Sequence, residues 1–398
     1  MAARRLSIGF INWAHAIDHY VMLILATVVI ELATVYNWSY AELIALGTPS
    51  FIAFGVFSLP AGWLGDRWSR RNMMALFYFG CGLALAAAAV APNPMVLAGA
   101  LAVLGVFAAI YHPVGTAMLI EQATSRGRSL AFNGVCGNLG VALAAGITAG
   151  LVYVLGWRGA FLVPAVICIV TGIAYLRLVP DDRHKTATRT SSPDIALAAW
   201  LAATVFGLFI VIALTAGLVF HIVTVALPKI VDERLGDVSL MMVGGLATVI
   251  FTCGALAQFT MGRLVEKFPL HLLFAGVAAL QFVGVLWAAY AGGITVLFAL
   301  AFAIVGIYAQ VTVNDMVIAR YTADAWRARV YAVRYFLTFL VSGAAVSMIA
   351  LLHGRGGFDL VLGITAAIAL GFVFATAAIA LLVHGVEKER SRIPQPAE

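Results

Sequence analysis

GWLGDRWSRR, Gly62 to Arg71, is the stretch whose reading decides the fold. It sets one carboxylate and three arginines between two long apolar runs, and a weaker echo, GRLVEKF, begins at Gly262. A charged turn that recurs in this way marks a chain built as two copies of one unit. Three further pairs keep the same order and nearly the same offset: AIYHPVGT at 109 with GIYAQVTV at 306, RSLAFN at 128 with RVYAVR at 329, and GWRGAF at 156 with GRGGF at 354.

The runs between these turns are too apolar for a water-soluble core. Hydrophobic residues make up 63% of the chain and charged ones 11%, with a mean hydropathy of +1.02, which excludes a soluble domain. A chain of 398 residues has room for about twelve runs of roughly 20 residues with short loops. Breaking it at charges, Pro and Gly gives spans near 8–33, 40–64, 72–91, 95–120, 129–153, 159–178, 198–228, 238–261, 270–291, 293–319, 330–352 and 358–384. These runs are too long for barrel strands, and backbone in lipid must satisfy its own hydrogen bonds, so the spans read as helices. The first is read as retained rather than as a signal peptide, because no small-residue cleavage site follows it.

The expected fold is an all-α membrane protein of twelve transmembrane helices in two pseudo-symmetric six-helix bundles. Residues 1–178 form the first bundle, 179–197 a cytoplasmic linker containing VPDDRHKTATRTSSPD, and 198–398 the second bundle with a short cytoplasmic tail. An even number of spans per copy makes the repeat parallel, with a site expected at mid-membrane where the copies meet. Nineteen of the 24 Lys and Arg fall on the linker side and only Arg158, Lys229, Arg234 and Arg355 in the opposite loops. The positive-inside rule therefore puts both termini in the cytoplasm of a bacterial-type inner membrane. The net charge of +6 then follows from topology and implies no nucleic acid. Cys81, Cys136, Cys168 and Cys253 lie in apolar runs without a CxxC pair and read as small hydrophobes. No GxSxG, P-loop or HExxH is present, so the chain reads as no enzyme and no ATP-driven pump. No cofactor and no obligatory protein partner is implied. A channel is the other membrane class, and the two-copy plan with a charged turn argues against it.

Ionisable groups inside spans are costly and mark function, which directs attention to NWAHAIDHYVMLI, residues 12–24. Helical spacing puts His15, Asp18, His19 and Met22 on one face. Three readings stand. Asp18 with His15 or His19 can form a proton-binding pair, since imidazole titrates near neutral pH and a carboxylate beside it shifts that. Alternatively His15 and His19, with His112 of span 4 and a thioether of Met22 or Met118, can bind a transition metal such as copper, iron or zinc. In the third reading they are hydrogen-bonded packing groups between helices.

The Gly62–Arg71 stretch, its echo at Gly262, the twelve spans and the central linker together resemble the major facilitator superfamily. A narrower similarity is to the fosmidomycin-resistance type of bacterial exporter, carried by the His15-x-x-Asp18 pair and by YHPxG at Tyr111, His112, Pro113 and Gly115. The chain departs from the proton-antiporter pattern in two places: span 4 lacks an arginine and the glycine-rich span 5 lacks a proline. The resemblance implies a secondary transporter working by alternating access, with spans 1, 4, 7 and 10 lining the cavity and protons and a small molecule as its partners. The first expectation is proton-coupled export of a small organic compound or drug, the alternative a transition-metal transporter.

Residues follow from that. His15, Asp18 and His19 are the proton-coupling candidates; His15, His19, Tyr111, His112, His221, Asn314, Asp315 and Arg334 are the substrate-binding ones. Arg334 has alternatives in an ion pair with Asp315 or in reaching the cytoplasmic surface. Gly62, Asp66, Arg67, Arg70 and Arg71 are the candidate cytoplasmic gate, with Gly62 allowing a close approach and Asp66 suited to a helix N-terminus. Asp232 and Glu233 are expected to be solvated at the outer end, and Asn138 to face either the cavity or a packed interface.

Overall fold

The structure is a computed structural model and describes residues 2–180, 199–321 and 324–390, so the linker expected over 179–197 lies almost wholly outside the described residues. The described residues are nearly all helical, and none of them is in a strand. In chain order the helices are α1 (Ala2–Tyr36), α2 (Tyr40–Arg67, with a turn at Leu46–Gly47), α3 (Arg70–Ala89), α4 (Pro94–Gln122), α5 and α6 (126–155 and 157–178), α7 (Ala199–Leu235), α8 (Leu240–Lys267), α9 (Leu270–Tyr290), α10 (Thr295–Tyr321), and α11 and α12 (324–355 and 358–390).

Ten helices are long and apolar enough to cross a membrane, and two of these are doubled at a kink, which is consistent with the twelve spans expected. The doubling occurs at Gly156 (φ 71°, ψ 175°) and at Gly357 (φ 58°, ψ −161°) with its non-helical neighbour Gly356, where a glycine of positive φ turns the chain from one span into the next. A Cβ there meets the backbone sterically, which is why glycine occupies both corners. Both belong to the GWRGAF and GRGGF repeat pair. Caps repeat as well. Ser39 and Ser239 open α2 and α8 by accepting from the backbone N–H groups of Glu42 (3.3 Å) and Met242 (3.2 Å), each satisfying a donor that the first helical turn leaves unpaired.

α7 outruns the span expected to end at 228 and reaches Leu235, passing through Pro228. The extension is polar and holds itself together: Lys229 lies 2.6 Å from Asp232 and 3.6 Å from Glu233, at helical i+3 and i+4 spacing. Asp232 and Glu233 are thus ion-paired rather than simply solvated; Glu233 also accepts from His353 at 3.0 Å, and Arg234 pairs with Asp359 at 2.5 Å.

The end of the bundle that carries the 67–70 turn is called here the basic end, and the opposite one the far end. The two halves meet from mid-depth to the far end. Along α2 and α11, Gly55 lies so near Phe339 that a Cβ on it would stand 2.8 Å from the Phe339 carbonyl oxygen, Ser342 donates to the Phe51 carbonyl at 3.3 Å, and the Thr48 and Ser347 hydroxyls are 3.5 Å apart. Along α5 and α8, the Gly146 N–H donates to Thr248 Oγ1 at 3.1 Å and Asn138 Nδ2 donates to Gln258 Oε1 at 2.6 Å. Tyr40 closes the far end with its ring against His353 (4.8 Å) and Phe358 (5.7 Å). Small residues let the backbones approach, and in lipid it is this packing, not hydrophobic expulsion, that holds helices together.

Candidate functional site

One turn of α4 departs from α geometry. Tyr111–Gly115, the YHPVG stretch, is a π turn around Pro113, whose missing N–H leaves the α ladder incomplete. The wider turn carries Tyr111 and His112 toward α1, whose helical spacing presents His15, Asp18 and His19. Glycine makes the room: a Cβ on Gly137 of α5 would stand 2.6 Å from the His15 ring.

The outcome is a cluster of three imidazoles and one carboxylate at the middle of the first half. Ring centroids lie 4.9 Å apart for His15 and His19, 5.4 Å for His15 and His112, and 5.6 Å for His19 and His112. His15 Nδ1 is 2.7 Å from the carbonyl oxygen of Asn133. A carbonyl only accepts, so Nδ1 carries the hydrogen and Nε2 presents a lone pair. That lone pair meets His19 Nε2 at 3.2 Å. His112 Nε2 stands 3.3 Å from Asp18 Oδ2, close enough for an ion pair, yet neither Asp18 oxygen has a hydrogen-bond partner of proper geometry. The Asp18 side chain is 1% exposed and that of His112 17%, so the carboxylate is sealed behind a ring whose outer edge is partly exposed while its Nε2 is buried.

A polar chain props this cluster. Tyr111 stacks on His15 at 4.7 Å and donates its hydroxyl to Asn133 Oδ1 at 3.0 Å, and Asn133 Nδ2 donates to Asn12 Oδ1 at 2.9 Å. Phe54 of α2 and Phe339 of α11 cover His112, with centroids 6.0 and 4.9 Å from it. Phe339 belongs to the second half, so the cluster reaches the surface where the halves meet.

His15, Asp18, His19, Tyr111 and His112 are thus brought together. The remaining substrate-binding candidates lie in the other half. His221 of α7 faces Phe51 at 6.4 Å, and Asn314 is buried with its Oδ1 unpartnered. Arg334 pairs with Asp315, one of the alternatives drawn for it, and lines a small apolar surface depression with Phe206, Phe209 and Leu337. Met22, a possible thioether ligand, turns its sulfur instead to the Ser50 hydroxyl at 3.7 Å. Asn12, Asn133, Phe54 and Phe339 were not among the candidates; Asn133, a polar residue in a glycine-rich span, is the one whose sequence setting carried a signal.

The candidate gate residues lie at the basic end. Arg70 reaches Asp66 at 2.7 Å and Glu121 at 3.0 Å, Arg71 donates to the carbonyls of Val179 and Leu176 at 2.6 Å each, and Arg67 lies over Trp63 at 4.8 Å. Gly62 faces Pro113, where a Cβ would stand 3.1 Å away, joining this turn to the π turn. All these contacts stay within the first half.

The sequence model of the Major Facilitator Superfamily matches residues 9–254, more than half of the chain. The chain belongs to that superfamily. Superfamily members of known structure share its architecture: the inward-facing, unoccupied bacterial homolog of the human lysosomal transporter Spinster superposes with a TM-score of 0.78 over 99% of both chains at 14% identity. A POT family transporter in complex with 5-aminolevulinic acid gives 0.73 over 94% of this chain and 95% of that one at 11% identity. These likenesses are of fold. By sequence the chain is 29% identical to a probable L-galactonate transporter of Escherichia coli over 38% of its length and 34% of the relative's. It is 33% identical to the puromycin resistance protein pur8 of Streptomyces alboniger over 33% and 27% of the two chains. The multidrug efflux pump LfrA of Mycolicibacterium smegmatis is also 33% identical, over 31% and 25%. The chain thus spans about a third or less of the length of these relatives. Superfamily membership and ten apolar spanning helices make it a multi-pass membrane protein, and its relatives are transporters rather than enzymes.

Proposed function

We propose that this chain is a secondary transporter of a bacterial inner membrane that exports a small organic compound by alternating access, driven by inward proton flow. The observation that carries the reading is Asp18: a carboxylate sealed at mid-membrane, without a hydrogen-bond donor, and 3.3 Å from an imidazole whose outer edge is partly exposed. A buried ionisable group without a structural partner is costly and is kept for function. Asp18 and its neighbouring imidazoles carry the coupling proton, His112 serving as the group through which it enters.

The drug-export names of two relatives support an organic cargo, and the His15-x-x-Asp18 and YHPxG pairings support the fosmidomycin-resistance type. In this reading cargo binds between the halves, with His15, His19, Tyr111 and His112 contributed by the first half and His221, Asn314, Asp315 and Arg334 by the second. With both termini cytoplasmic, the basic end faces the cytoplasm and the halves, joined at the far end, form an inward-open state. Asp66, Arg67, Arg70 and Arg71 then act as the gate on closure, exchanging their pairings within the first half for partners in the second.

Purified protein in liposomes holding a pH-sensitive dye, challenged with a panel of organic anions and amphiphiles, tests this. Proton movement driven by one compound class, and lost in Asp18→Asn, is the expected result. Compound movement that proceeds without protons, or a fully coupled Asp18→Asn protein, overturns the coupling.

A further inference from the structure

Three imidazoles are more than a proton pathway needs, and their arrangement has a second chemistry. Ligand nitrogens of His15, His19 and His112 all lie within 4.8 Å of one another. A tetrahedral ion bound at ~2.0–2.1 Å to imidazole sets its ligand nitrogens about 3.4 Å apart, and the His15 and His19 Nε2 atoms are already 3.2 Å apart. Closing the set from 4.8 Å takes an inward shift of the His112 ring of at most about 1.4 Å, given the same tetrahedral spacing, and His112 is carried on the wide π turn of α4.

Two further observations point to an ion. His15 has the support usual for a ligating imidazole: its Nδ1–H is held by the Asn133 carbonyl, which fixes the tautomer with the Nε2 lone pair facing inward. Beside His112, Asp18 holds a carboxylate whose two buried oxygens accept no hydrogen bond, Oδ2 standing 3.3 Å from His112 Nε2. We propose that His15, His19 and His112 form a site for one divalent transition-metal ion, with the Asp18 carboxylate beside His112 as its counter-charge. The donor set, three imidazole nitrogens with a fourth position left for water and the Met22 sulfur turned away, suits zinc, cobalt(II) or ferrous iron and not cuprous copper. On binding, His19 gives its lone pair instead of its N–H to the centre by taking the other tautomer, which requires no net proton change on that ring. One ion carries two positive charges against one carboxylate, so the site holds a single cation.

The inference goes beyond the transport reading and does not depend on it, because it concerns occupancy at equilibrium, with no gradient and no organic compound. The test uses the purified full chain without a polyhistidine tag, stripped with chelator in detergent. Cobalt(II) is titrated in while its visible d–d absorption is followed, and zinc binding is measured by calorimetry. One ion per chain is expected, with the intense absorption of four-coordinate cobalt. Affinity is expected to fall at least tenfold in His15→Gln and in His112→Gln, and to stay unchanged in His221→Gln, a buried imidazole outside the set. Size-exclusion elution and thermal unfolding confirm that each variant is folded, and a variant that fails this is replaced by its Asn counterpart. Absence of stoichiometric cobalt and zinc binding by the folded wild-type chain overturns the site, as does binding that the His15 and His112 variants leave intact. A chain that binds cobalt but moves no organic compound supports the site and sinks only the cargo reading.

Discussion

Asn138 donates a 2.6 Å hydrogen bond to Gln258, tying α5 of one half to α8 of the other. Among the described residues this is the polar link between the halves that lies nearest the basic end, below the seam that Gly146 and Thr248 continue to the far end. In the proposed transport cycle, closing the basic end would pivot close to it. Removing one amide strands the other in a dry interface, at a cost of about 1–3 kcal/mol. Asn138→Ala and Gln258→Ala should each lower the unfolding midpoint, and the double variant should lose clearly less than the two losses combined. Additive losses in thermal unfolding would mean that the pair is not coupled.

Asp18→Asn keeps the shape of the side chain and removes its proton. The protein should fold and reach the membrane as wild type does while substrate-driven proton movement disappears, read by the trapped dye. The buried position predicts little change in surface behaviour, so loss of coupling without loss of expression is the diagnostic combination.

Thr48 and Ser347 face each other across the far end with their hydroxyls 3.5 Å apart. Cysteines at both positions should cross-link under mild oxidation, as a disulfide needs side chains in this proximity. The cross-link should stop transport, and reductant should restore it, because alternating access requires this seam to open. Transport that survives complete cross-linking would exclude opening at this end.

A Cβ on Gly105 would lie 2.0 Å from the Ser50 carbonyl oxygen, whereas one on Gly99, two turns earlier on the same helix, meets nothing within 4 Å. Forcing α2 and α4 apart at such a contact costs about 1–3 kcal/mol or more, while alanine for glycine in an open helical position gains roughly 0.5–1 kcal/mol. Gly105→Ala should therefore unfold at lower temperature than wild type and Gly99→Ala at the same or a higher one. Equal midpoints for the two would contradict the close approach.

Much of this architecture was legible in the chain because a bilayer imposes simple rules. Hydropathy, loop charge and the offset repeat are all local or periodic, and they foretold twelve spans and the placing of His15, Asp18 and His19 on one face. The end of α7 was missed because the ion pairs of Lys229 extend a helix that hydropathy alone stops at 228. The site was half legible. That His112 joins α1 follows from a π turn which Pro113 hints at and no spacing rule specifies. The roles of Asn133 and Phe339 depend on how α5 crosses α1 and how α11 crosses α2, and such crossings are set by packing between residues distant in the chain. The turn of Met22 toward Ser50 is of the same kind.

The glycine corners at Gly156 and Gly357 have a practical consequence. Each joins two spans with no loop between them, so the far side of the protein has nothing at these two points for a protease to cut or an antibody to grip. A peptide tag spliced in at either corner would have to unwind a helix to be seen. The capped turns before α4 and α8, at Asn93 and Ser239, are the places where an inserted label should be borne without harm.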